Sequence, residues 1–136
     1  MNEQNESVSL DEYVLRRIHK SHCNFALDTP ITRAAFQPNR HDTQGISVYR
    51  ERFVTPEALA NSGRKAGEYY VARLSVATLV STVGVSVKQD PQDDELPGHC
   101  LIPELRLEMP KEGSKELQRH LAVLASASIV YTPEST

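Results

Sequence analysis

Turn-forming residues cut this chain into short pieces, and that punctuation limits its fold more than any other feature. "NFALDTP" (24–30) ends in Asp28-Thr29-Pro30, and a residue before proline is pushed out of the helical region, so no helix runs through it. "QPNRHDTQG" (37–45) is polar and turn-rich, and "DPQDDELPG" (90–98) is an acidic turn with two prolines. Gly63 and Gly84 stand where helices are expected to stop. Short strands and short helices are what fits between these breaks. No apolar run approaches the roughly 20 residues that a membrane-spanning helix needs.

The pieces read as follows. In "SLDEYVLRRIHKSH" (9–22), Ser9 and Glu12 have the spacing of a capping box, Leu10, Val14 and Ile18 fall four apart, and basic residues gather at the far end. These signals predict a helix from about 10 to 20, with a strand through "EYVLRRI" as the alternative. "ITRAAF" reads as a short strand, and "ISVYRERF" alternates as a half-buried strand does. "TPEALANSG" has Thr55 to cap a helix, Pro56 for its first position and Gly63 beyond its end. "GEYYVARL" is a strand, "SVATLVSTVG" a short helix from Ser75 to Gly84, and "VSVKQ" and "HCLIPEL" two further strands. Pro103 confines the last to an edge or to the end of a ladder. "SKELQRHLAVLASA" is the clearest later helix, with Leu117, Leu121 and Leu124 along one face. "SIVYTPEST" adds a short terminal strand.

The expected fold is α+β: one small twisted sheet of about four strands with three to four helices packed on it. A single globular domain spans 9–131, between flexible tails at 1–8 and 132–136. At 136 residues, with 39% hydrophobic residues, the chain can bury a core without disulfide or metal staples. The core is expected to hold Val14, Ile18, Val48, Val71, Leu74, Leu79, Val85, Leu101, Leu117, Leu121 and Leu124.

A net charge of −3 gives no general pull towards nucleic acid or anionic lipid. Aromatic residues make up 6% with no Trp, which weakens any reading that needs platforms for stacked bases. A nucleic-acid binder would need the basic residues of the first half to line one face. The polar, acidic start resembles neither a secretory signal nor a transit peptide, and two cysteines make no disulfide framework. A reducing cytoplasm and a bacterial-type origin are the expectation.

His22-Cys23 and His99-Cys100 invite a zinc reading, but paired ligands usually have two to five residues between them so that both reach one ion. Adjacent strand residues point to opposite faces. No metal and no cofactor are therefore expected. Asp90, Asp93, Asp94 and Glu95 lack the glycine and spacing of a calcium loop and read as a solvated turn. There is no G-x-S-x-G elbow and no Gly-rich phosphate loop.

"LRRIHKSH" is the stretch with the most chemistry. Arg17 and His19, joined by Arg33 and His99, could line a cationic pocket, since Arg grips phosphates bidentately and His exchanges protons near neutrality. A solvated basic turn explains the same residues. Two functions follow. The first is a small regulatory or interaction protein, non-enzymatic, acting with a protein partner through an apolar surface such as "LAVLASASIV". The second is an enzyme or binder for a nucleotide or other phosphorylated ligand, which requires the Arg/His residues to converge.

Overall fold

The computed structural model describes residues 7–63, 65–90, 96–108 and 111–133. Its framework is one antiparallel sheet of six strands: β1 (Tyr13–His19), β2 (Ile46–Arg50), β3 (Tyr69–Ser75), β4 (Lys88–Gln89), β5 (His99–Ile102) and β6 (Ile129–Tyr131). The spatial order is β4-β5-β2-β1-β3-β6. The helices are α1 (Pro56–Asn61), α2 (Val76–Thr78, continued by a π-type turn Leu79–Val83) and α3 (Lys111–Ser126). Two 3₁₀ turns, Lys20–His22 and Arg33–Phe36, complete the described elements.

This corrects the expected α+β fold of about four strands under three to four helices. The sheet has six strands and dominates the molecule. The main cause is the segment 10–20, in which Tyr13–His19 form the strand β1 and no helix forms. Val14 and Ile18 lie four apart, and four is a multiple of the strand period of two as well as close to one helical turn. Leu15 decides between them: it is as buried as Val14 because both faces of this central strand are covered. β1 pairs with β3 along its whole length, Tyr13↔Ser75 to His19↔Tyr69. The capping-box pair forms without a helix. Glu12 accepts the Ser9 N–H at 2.8 Å and closes a turn that leads into the strand.

The capped helices follow their signals. Thr55 accepts the Ala58 N–H at the start of α1, and Ser75 accepts the Thr78 N–H at the start of α2. Gly84 ends α2 with φ of 86°. "ITRAAF" contributes only an isolated bridge between Ile31 and Cys23 before turning into the 3₁₀ segment. Of "VSVKQ" only Lys88–Gln89 pairs. Residues 91–95, with Asp93, Asp94 and Glu95 of the acidic turn, lie outside the described residues, as do 1–6 and 134–136 of the two tails.

Strand alternation gives the sheet two apolar faces. On one, Val14, Ile18, Val48, Ala72, Leu74, Cys100 and Ile102 meet Phe36, Leu79, Leu121 and Ala125 in the main core. On the other, Leu15, Tyr49 and Val71 pack against Leu59 and Ala60 of α1 in a smaller one. Of the expected core, Leu101, Leu117 and Leu124 are only partly buried and the rest are buried. The buried stripe of α3 runs through Ser114, Gln118, Leu121 and Ala125, rotated from the expected leucine face.

Candidate anion-binding cleft

Two arginines, Arg50 buried and Arg16 partly buried, show what the sheet does with charge. Arg50 is fully buried and meets Glu12 bidentately, Nε to Oε1 at 2.8 Å and Nη2 to Oε2 at 2.7 Å. Desolvation works against the Glu12 carboxylate. The Arg50 hydrogen bond, the Ser9 N–H and the charges of Arg50 and Arg52 outweigh it and hold the pKa below the usual Glu value. Arg16 lies where β1 and β2 part, their pairing being confined to Val14↔Arg50 and Leu15↔Tyr49. Its guanidinium bonds the Ser47 carbonyl at 2.7 Å and the Ala35 carbonyl at 3.1 and 2.7 Å, and so satisfies carbonyls in that gap. Burial pushes its pKa down to about 10, opposed by the Asp42 charge, and leaves it a cation at neutral pH. Both arginines serve the fold.

The four residues singled out from the sequence do not converge. Arg17 and His19 share the α1 face around Tyr69. Arg17 Nη1 donates to Ser62 Oγ at 2.5 Å, and its guanidinium stacks 5.0 Å from the Tyr69 ring centre. His19 Nδ1 accepts the Ser21 N–H at 3.1 Å, so Nε2 carries the proton that meets Glu68 at 3.1 Å. His99 lies on the same face two strands away, hydrogen-bonded to Ser47 at 2.8 Å and tilted against Tyr49. Arg33 belongs to the opposite side of the sheet, where it meets α3.

Arg33 acquires different company there. A cleft of about 360 Å³ opens between its 3₁₀ turn, the segment after β5 and the first turns of α3. Its cations are Arg33, Arg106 and Lys115, and its polar lining includes Gln37, Ser114 and Gln118. No carboxylate is among the described residues that line it. Arg33 Nη1 donates to Gln118 Oε1 at 3.0 Å, and Gln118 Nε2 donates to Ser114 Oγ at 2.9 Å. Gln118 and Ser114 are 3% and 6% exposed, so Arg33 is held by a buried, hydrogen-bonded relay. A guanidinium has five N–H groups. Arg33 uses one of them in hydrogen bonds among the described residues. Arg106 donates Nη1 to the Pro103 carbonyl at 2.9 Å. The positive end of the α3 dipole adds to this field.

Arg106, Lys115, Gln118 and Ser114 were not singled out from the sequence. Ser114 and Gln118 lie four apart in a helix and mark one polar face, the only local signal of the relay. That Arg33 would meet them from 85 positions earlier has no local signal.

Other chemistries find less support. Among the described residues no three His, Cys, Asp or Glu side chains gather as metal ligands. His99 and Cys100 point to opposite faces, Cys100 into the main core. Burial pushes the Cys100 thiol up to about 12 and raises that of Cys23, so neither is a thiolate nucleophile at neutral pH. Among the described residues no helix is long and apolar enough to cross a membrane. No protein-family model, curated protein or solved structure matches the chain.

Proposed function

We propose that the protein binds a small phosphate-bearing anion in the cleft formed by Arg33, Arg106 and Lys115. One observation carries this reading: cations from three separate segments line one concavity, with no carboxylate among the described residues that line it. Like charges brought together repel, so such a cluster is best explained by an anion that neutralises it. The volume suits a small ligand. Arg33, with four N–H groups unspent among the described residues, is the bidentate contact, and Lys115 supplies a compact point charge. The setting is the cytoplasm, where phosphorylated small molecules abound and both free cysteines stay reduced.

Thermal denaturation with inorganic phosphate, pyrophosphate and a nucleoside triphosphate tests it. A ligand that binds only the folded chain stabilises it by about 2.7 kcal/mol at a hundred times its Kd. At least one of these anions is expected to raise Tm, and Arg33→Ala and Arg106→Ala are each expected to remove most of that rise. Equal rises in the wild type and both variants would overturn the assignment to this cleft.

The reading as a bacterial-type regulatory protein acting on a protein partner has weaker support. Half of "LAVLASASIV" belongs to the core: Leu121, Ala122 and Ala125 are buried with Leu124 and Ile129 packed against them, and Val123 and Val130 are its exposed large apolar residues. It remains the reading to adopt if no anion binds.

A further inference from the structure

On the opposite face of the sheet a second group of residues has an arrangement suited to covalent chemistry. Tyr49 pairs with His99 and Ser47 with Leu101 between β2 and β5, which makes Ser47 and His99 diagonal neighbours on one face. The Ser47 hydroxyl lies 2.8 Å from His99 Nε2. The other ring nitrogen, Nδ1, lies 2.9 Å from the main-chain carbonyl of Asp90 and 3.5 Å from its carboxylate. A carbonyl oxygen only accepts, so Nδ1 carries the proton and Nε2 presents its lone pair. The Ser47 O–H is then the donor in the Ser47–His99 hydrogen bond. This is the arrangement a serine nucleophile requires: a hydroxyl bonded to an imidazole base whose tautomer and orientation are fixed by a third group. Ser47 is partly exposed, and the His99 side chain retains 11% exposure, so both are within reach of a small reagent.

We propose that Ser47 is a nucleophile, with His99 as its general base, towards small activated acyl esters. Ser47 Oγ attacks the carbonyl carbon while its proton passes to His99 Nε2. The tetrahedral adduct collapses with cleavage of the bond to the leaving-group oxygen, which takes that proton. Water then attacks the acyl-serine with the same proton traffic, releases a carboxylic acid and restores the Ser47 hydroxyl. The Asp90 main-chain carbonyl, closer than its carboxylate, is the positioning group. The Asp90 side chain is therefore expected to matter less than in a triad built on a carboxylate.

The test uses the full chain with a fluorophosphonate probe and p-nitrophenyl acetate. The expected result is one probe per chain, located on Ser47 by peptide mass spectrometry of the wild type. His99→Gln is expected to slow labelling and ester hydrolysis by roughly a hundred-fold or more. Asp90→Asn is expected to slow them less than ten-fold, and Ser47→Ala to abolish labelling while melting as the wild type does. Label on another residue, no label, or a rate indifferent to His99→Gln would overturn the proposal. Because the site is located on the wild-type chain, the outcome does not depend on whether Ser47→Ala folds.

Discussion

Glu12 and Arg50 are the pair on which a single substitution weighs most. The guanidinium is wholly enclosed and the carboxylate nearly so, with 0% and 9% side-chain exposure. Removing one partner from such a pair costs about 3–5 kcal/mol, because the other stays buried and loses a bidentate, charge-assisted contact. Glu12→Ala should show a loss of this size in urea denaturation at neutral pH. The sign of its pH dependence follows from the lowered pKa of Glu12. A depressed carboxylate contributes stability above its unfolded pKa, about 4.3, and loses it as pH falls through the lower folded value. The gap between wild type and Glu12→Ala is therefore expected to be full at neutral pH and to close in acid. Gly45 is a second sensitive position. Its φ is 138°, and an added Cβ would lie 2.6 Å from the Ile102 carbonyl oxygen, a backbone atom that cannot swing aside. Gly45→Ala should lower stability by roughly 1–3 kcal/mol, measurable in the same denaturation experiment.

Among the elements, β1 shows where local pattern stops deciding structure. A four-residue repeat, an N-terminal Ser with Glu three positions on and a basic far end all fit a helix, and each has another use here. The repeat serves strand alternation, and Glu12 serves Arg50. Arg16 bridges to Ser47 and Ala35, while Arg17 reaches Ser62. Burial of Val14 and Leu15 side by side arises only when a layer covers each face, which no local window contains. The helices α1 and α2 were legible because their caps act within four residues. In α3 the buried stripe holds two polar residues, and their work is to hold Arg33. Gln118→Leu makes that position apolar at nearly the same volume but removes the acceptor for Arg33. It is expected to leave urea stability within about 1 kcal/mol of the wild type while weakening the stabilisation by phosphate anions.

At the scale of the whole molecule, the sheet brings distant parts of the sequence together on both faces. β1 sits inside it between β2 and β3, and the two edges, β4 and β6, are only two and three residues long. Short edges offer little template for pairing with other chains. Amide hydrogen exchange should accordingly be slowest along β1 and β3, which pair with each other from end to end. The number of strands and their order rest on long-range pairing, so they lay beyond local patterns. The same holds for the cleft: Arg33 stands out in the sequence only with other partners, Arg106 and Lys115 not at all, and the three form one site only through the packing of α3. Backbone amide shifts recorded during titration with pyrophosphate test that site most directly. The account predicts saturable shifts concentrated at Arg33, Arg106, Ser114, Lys115 and Gln118, with little change at Arg17, His19 and His99. Shifts scattered over the surface, or centred on the Arg17–His19 side of the sheet, would contradict it.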